Sequence, residues 1–398
     1  YLFYCINNFY LMRKFITFGE PNIGTKEINF LKKTISSKWI GSGPITEEFE
    51  NKFKIYKKSK YSLSVNSCTA ALHLSLISLG LKEGDEVITT PMTFCSTINS
   101  ILLVGAKPVL VDINPDTLNI DENMISKKIN SKTKALMIVH FAGLACNMAP
   151  IMKICKKHNL RLIEDCAHAI ESKYFKKEVG NFGDTGCFSF YATKNITTGE
   201  GGMLITSNSK IYNKIRTMRL HGLSKDAWKR YLPNSINNKF KFEHYDVKEV
   251  GLKYNLIDLN ASLGIPQLED IEKSLKKREK IHILYRKELK GLPIKFQNIN
   301  PYPNKFAHHL FVIILDKSKT KKKRDDLIYF LKKNKIGTGI NYRAVTDMTI
   351  YRKKLGWNNK TAPIAKNVGD NILSLPLYPS LALSEAKYIS KKISEFFK

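Results

Sequence analysis

No stretch of this 398-residue chain approaches the ~20 consecutive apolar residues that carry a helix across a bilayer. Membrane-spanning classes are therefore set aside. Paired cysteines are also missing. Seven cysteines (Cys5, Cys68, Cys95, Cys146, Cys155, Cys166, Cys187) are scattered, with no C-x-x-C, and several lie in apolar runs. That is the pattern of free buried thiols in a reducing cytoplasm, without a disulfide framework or a metal site. Acid is short as well: 35 Asp and Glu stand against 65 Lys and Arg, a formal charge of +30. Such a surplus raises the possibility of nucleic acid. But lysine, isoleucine and asparagine are abundant throughout, and the basic runs, such as "KKREK" and "KTKKKRDD", are not interleaved with aromatics. They read as solvated helix faces that also attract anionic substrates. No recognition-helix pattern accompanies them, so a DNA-binding regulator stays an outlying alternative. Repeats and low-complexity segments are missing too.

What is present is an alternation. From about residue 60 to 210, short apolar runs trade places with helical patterns. "YSLSVNS" leads into "CTAALHLSLISLGL", and "DEVITTP" precedes "TFCSTINSILLVG". "KPVLVDI" follows, then "TKALMIVH", "NMAPIMKICKKHN" and "LRLIEDCA". Strands of four to eight residues alternating with helices predict an α/β domain with a mostly parallel sheet. After about residue 265 the texture changes to a long charged helix, "LEDIEKSLKKREKIHILYRKELKGL", then "HHLFVIIL", a helix near 322–334 and a final amphipathic helix. This predicts a large domain over 12–265 and a smaller α+β domain over 266–398. The opening "YLFYCINNFYL" lacks the basic start and cleavage site of a signal peptide. With Met12 taken as the natural start, residues 1–11 are expected to be a non-native or disordered leader.

Ligands in open α/β sheets bind at the carboxyl ends of strands, and four features fall there. In "NSCTAALH", Ser67, Cys68 and Thr69 open a helix, either as a plain N-cap or as a seat for phosphate on free N–H groups. Asp165, in "LIEDCAHAIES", is a carboxylate after apolar positions. It either forms a salt bridge or holds a cationic ring nitrogen. Phe94, in "TPMTFCSTINS", is either core or a platform for a planar ligand. Lys194, in "SFYATKNITTGEGGMLITS", sits in a glycine-rich bend between two apolar runs. It either snorkels to water or is a desolvated amine able to form a Schiff base. A phosphate seat, a stacking aromatic, an acid for a pyridinium and a lysine for an aldehyde are together what pyridoxal 5'-phosphate (PLP) needs.

The chain also resembles the DegT/DnrJ/EryC1/StrS aminotransferases, PLP enzymes of the aspartate-aminotransferase fold (fold type I) that act on nucleotide keto-sugars. The similarity runs from "FGEPNIGTKEINFLKKTISSKWIGSGPITEEFENKF" to "SLPLYPSLALSEAKYISKKISEF". Its most specific parts are "IEDCAHA", "FSFYATKNITTGEGGMLIT", "MRLHGL" and "KYNLIDLNASLG". The resemblance implies that Lys194 is the Schiff-base lysine and that Asp165 meets the pyridine nitrogen. It places His168 against the ring hydroxyl and Phe94 over the ring. Cys68, Thr69 and Ser189 become the phosphate seat. Asn255 reaches the phosphate from the neighbouring subunit, so a homodimer with shared sites is implied. Two positions depart from the family pattern: Cys68 replaces a common glycine, and Asn341, in "GINYRA", stands where a histidine is usual. L-glutamate is the implied amino donor. "HFAGLACNMAPI", "KNITTGEGG" and "KYNLIDLNASLG" are most similar to the branch that aminates UDP-4-keto-sugars, such as the 4-keto-pentose used to modify lipid A. Cell-surface polysaccharide or lipopolysaccharide biosynthesis is the implied setting. A sugar dehydratase of the same family is the alternative enzyme, but that branch replaces the lysine with histidine. An aminotransferase that uses only amino acids would need a second carboxylate clamp, which Arg343 could supply.

Overall fold

The computed structural model describes residues 15–224 and 245–398. The expected leader over 1–11 lies outside the described residues. Seven strands form the central sheet: β1 (Tyr61–Val65), β2 (Glu86–Thr89), β3 (Lys107–Leu110), β4 (Thr133–Val139), β5 (Arg161–Asp165), β8 (Thr185–Ser189) and β9 (Gly202–Thr206), in the order β1-β9-β8-β5-β4-β2-β3. β9 runs antiparallel to both neighbours, and the other pairings are parallel. Val65, Thr89, Val139, Asp165 and Ser189 therefore all end at one edge. β9 starts at that same edge, with Gly202 facing Val65 on one side and Ser189 on the other.

Alternating side chains feed two cores. Leu136, Ile138, Leu162 and Ile205 point into one, while Ala135, Met137, Ile163 and Leu204 point into the other. The period of two follows from strand geometry. The helices α1 (Thr25–Ser36), α2 (Pro44–Lys57), α3 (Cys68–Ser78), α4 (Cys95–Leu103), α5 (Met148–His158), α6 (Ser209–Met218) and α7 (Asp258–Glu269) cover the sheet. Asp258, within "KYNLID", is a structural group: its carboxylate accepts from the backbone N–H of Gly43, Ile45 and Thr46 at 2.8–3.2 Å and caps α2.

The charged helix expected from residue 268 is in fact two helices. α7 ends at Glu269, and α8 (Ile271–Glu288) begins after Asp270. α8 and the helices α9 (Arg324–Lys333), α10 (Pro363–Asn371) and α11 (Leu383–Phe397) enclose an antiparallel sheet of β10 (Ile294–Phe296), β12 (Phe311–Leu315) and β13 (Ile372–Leu375). A third small sheet joins β6 (Lys173–Tyr174), β7 (Lys177–Glu178) and β11 (Asn304–Lys305). Met92, Phe141 and Leu144 pack with Phe306, Leu310 and Val312. One apolar cluster thus spans both parts of the chain.

Candidate active site

At the carboxyl edge, Ser67 caps α3: its hydroxyl accepts from the Ala70 N–H at 3.1 Å. Among the described residues the amides of Cys68 and Thr69 have no acceptor, as expected of the first turn of a helix. The cap and the free donors coexist, so the two readings of this motif do not compete. Gly202 lies directly beneath. A Cβ there would stand 2.6 Å from the Ser67 carbonyl carbon and 2.7 Å from the Cys68 nitrogen. Ser189 is opposite Gly202, and its hydroxyl accepts from the Tyr191 N–H at 3.4 Å.

Asp165 is buried at the end of β5. Oδ1 accepts from the Ala167 N–H at 3.1 Å and lies 3.9 Å from the Cys68 thiol; Oδ2 accepts from the Thr97 hydroxyl at 3.0 Å. Burial raises its pKa, although Ala167, Thr97 and Lys194 pull the other way. A cationic ring nitrogen would reverse that shift. The Cys68 thiol is pushed far up by burial and then by Asp165, so it stays neutral.

Lys194 follows a tight turn in which its N–H reaches the Tyr191 carbonyl at 2.9 Å. Part of the residue touches solvent, yet enough protein surrounds the amine that burial lowers its pKa to about 8, against the pull of Cys68 and Asp165. Glycine is needed in the bend: Gly199 has φ +77°.

His168 accepts the Ala142 N–H on Nδ1 at 3.2 Å, so in its neutral form the proton sits on Nε2, 3.0 Å from the Tyr342 hydroxyl. Burial, Lys194 and His309 hold it well below the usual histidine range. Its ring stacks on Tyr342, and Tyr342 lies 6.2 Å from the Phe94 ring. Phe94 itself is 58% exposed. Asn341 lines a cavity of about 40 Å³ together with His168, Thr193, Lys194 and His309. Arg343 is half-exposed and pairs loosely with Asp347 at 3.9 Å.

Cys68, Asp165, His168 and Lys194 thus come together, with Thr69, Ser189 and Phe94 along the same edge. Asn255 pairs with Val65 in its own chain and donates to Ser42 at 2.5 Å, leaving a buried carbonyl oxygen without a partner. Two free helix amides, a backbone crowded enough to require Gly202, and a buried carboxylate with no salt bridge among the described residues fit a phosphorylated pyridine aldehyde. Sequence reasoning missed His309, Asn195 and Tyr342. The adjacent histidines in "AHHLFVIIL" and the residue beside the lysine were available signals. His140, Glu164 and Cys166 also cluster, but both Glu164 oxygens are occupied by His140 and by the amides of Gly180, Phe182 and Gly183. This trio braces the back of β5.

A profile of the DegT/DnrJ/EryC1/StrS aminotransferase family matches residues 21–394. The uncharacterized protein MJ1066 of Methanocaldococcus jannaschii is 44% identical over 362 residues, covering 91% of this chain and 92% of its own length. The spore coat polysaccharide biosynthesis protein SpsC of Bacillus subtilis is 38% identical over 385 residues, covering 96% and 97%. The solved structure of the putative sugar aminotransferase Spr1654 of Streptococcus pneumoniae, in its pyridoxamine phosphate form, superposes with a TM-score of 0.88 at 30% identity, covering 96% of this chain and 100% of that one. The chain belongs to the DegT/DnrJ/EryC1/StrS family of PLP-dependent aminotransferases.

Proposed function

We propose that the chain transfers an amino group from L-glutamate to the 4-keto carbon of a nucleotide-linked sugar, with UDP as the nucleotide, in the biosynthesis of cell-surface polysaccharide or lipopolysaccharide. The observation that carries this reading is the enclosed amine of Lys194, its pKa lowered to about 8, beside a buried Asp165. When bound, PLP supplies an electron sink for the carbanion at the donor's α-carbon. Asp165 would face its ring nitrogen, His168 its ring hydroxyl and Phe94 its face. The Cys68 and Thr69 amides and the Ser189 hydroxyl would hold the phosphate, joined by Asn255 of the partner subunit in a homodimer. Lys194 Nζ exchanges its proton near neutral pH. It can therefore take the proton from the donor's α-carbon as base and return it as acid.

A sugar acceptor is supported by the names of SpsC and Spr1654. The 4-keto position and UDP rest on the similarity of "HFAGLACNMAPI", "KNITTGEGG" and "KYNLIDLNASLG" to that branch. The exposed Phe94 and Tyr191 leave the lysine's surroundings open to a bulky substrate. Arg343 can turn from Asp347 to an anionic group. Lys194, where a dehydratase would carry histidine, favours amino transfer. The test is the second half-reaction: enzyme loaded with pyridoxamine phosphate is mixed with UDP- and dTDP-4-keto-sugars and with simple 2-oxo acids, and the cofactor's absorbance is followed. Rapid return of the aldehyde-form band with a UDP-4-keto-sugar is expected. Return only with 2-oxo acids contradicts the sugar assignment.

A further inference from the structure

A buried polar chain runs from α8 to the lysine's cavity. Arg278, on α8, pairs with Glu171, and both side chains are almost wholly inaccessible to solvent. Its Nε also donates to the His308 carbonyl at 3.1 Å. Glu171 accepts, on its other oxygen, from Asn195 Nδ2 at 2.7 Å, and the same Nδ2 is 3.2 Å from the Ala307 carbonyl. Both of these partners are pure acceptors, so they fix the orientation of the Asn195 amide. Its oxygen must face His309 Nδ1, 2.8 Å away. An amide oxygen only accepts, so Nδ1 carries the proton, and the neutral imidazole keeps a lone pair on Nε2. His309 is buried, its ring 4.4 Å from that of His168, and it lines the cavity of about 40 Å³ that also contains Lys194. That space is enough to admit a water molecule or an amino group. Burial, Lys194 and Arg278 together disfavour the imidazolium.

We infer that His309 is a positioning residue for Lys194: its Nε2 accepts a hydrogen bond from the lysine's amine when that amine turns into the cavity the two residues share, and the chain Asn195–Glu171–Arg278 locks the ring in the accepting tautomer. The two histidines are thereby set in opposite tautomers. His168 offers an N–H toward Tyr342, while His309 offers a lone pair to the cavity. The lock also explains why a carboxylate and a guanidinium are buried here at all. They hold the Asn195 amide in one orientation, and that amide holds the ring. The inference rests on Lys194 being the reactive amine, which borohydride trapping tests separately.

The experiment uses the full chain labelled with 15N-histidine. NMR should show His309 protonated on Nδ1 both with and without PLP, and N195L should mix the tautomers. A wild-type His309 protonated on Nε2 overturns the inference. Two variants then separate acceptor from strut. In H309Q an amide oxygen replaces the lone pair of Nε2, whereas in H309N an amide N–H replaces Nδ1–H and nothing replaces Nε2. The pH midpoint of Lys194 modification in PLP-free full-length protein should stay near the wild-type value in H309Q and fall in H309N, because an accepting atom favours the ammonium form. The proton-transfer step should drop about tenfold in H309N, the effect of one lost hydrogen bond, and change little in H309Q. If H309N keeps the wild-type midpoint and rate, or if H309Q loses as much as H309N, the ring is only a strut and the inference fails.

Discussion

Gly202→Ala is the sharpest test of the phosphate seat. The new methyl group would stand 2.6 Å from the Ser67 carbonyl carbon and 2.7 Å from both the Ser67 carbonyl oxygen and the Cys68 nitrogen. All three are backbone atoms, so no side-chain rotation relieves the clash. Gly202 cannot retreat either, because β9 is hydrogen-bonded to β1 and β8 at this position. The first turn of α3 must move. Forcing one carbon into such a site costs on the order of 1–3 kcal/mol. If all of that strain appears as lost cofactor binding, PLP affinity falls roughly 5- to 150-fold. The part that remains in the cofactor-free protein appears as a fall of a few degrees in Tm. The assay is a PLP titration followed by absorbance, with thermal melts of the loaded and unloaded forms. The gap between the two melts should shrink in the variant. Wild-type affinity and wild-type melting would show that α3 does not hold the phosphate where the free Cys68 and Thr69 amides lie.

Asp165→Asn should slow proton transfer far more than it weakens PLP binding, because a neutral amide cannot keep the ring nitrogen protonated; near wild-type single-turnover rates would make Asp165 merely structural. Lys194 should contribute stability that grows as pH rises from about 8 toward 10.5: in that window the unfolded Lys194 (pKa 10.5) is protonated and the folded one is not, so on this group the unfolded state binds more protons, against the opposite drift from the buried thiols. Lys194→Met should remove that contribution, so that the denaturant midpoint of the cofactor-free protein runs less favourably with pH across this window than in the wild type, and an identical slope would contradict the enclosure of the amine. Mixing inactive Lys194→Ala and Asn255→Ala proteins should restore part of the activity, since one hybrid site keeps both residues; an active monomer in sedimentation would refute shared sites.

The α/β alternation was legible because strand and helix periods differ, and every strand run named from residue 60 to 210 became a strand of the central sheet. The edge residues were legible for the same reason: a polar group that ends an apolar strand run lies at the carboxyl edge, as Asp165 and Ser67 do. The break at Asp270 was hidden because both flanking segments are helical and the residue between them has no sequence signature of a stop. The lock on His309 was hidden more deeply. Arg278, Glu171, Asn195 and His309 come from four separate stretches up to 138 residues apart, and their hydrogen bonds exist only once α8 packs against the lysine's bend. Asn255 shows the opposite limit. The motif marks it out, but in its own chain the side chain turns to Ser42.

The central claim is that one amine among the many lysines of this chain carries the chemistry. Its most direct test is borohydride reduction of the PLP-loaded protein, followed by proteolysis and mass spectrometry of the labelled peptide. The account predicts a single phosphopyridoxyl label on the peptide that contains Lys194, and no label at any lysine in Lys194→Ala. A label on a different lysine, or none after PLP is supplied to the wild-type protein, would contradict it.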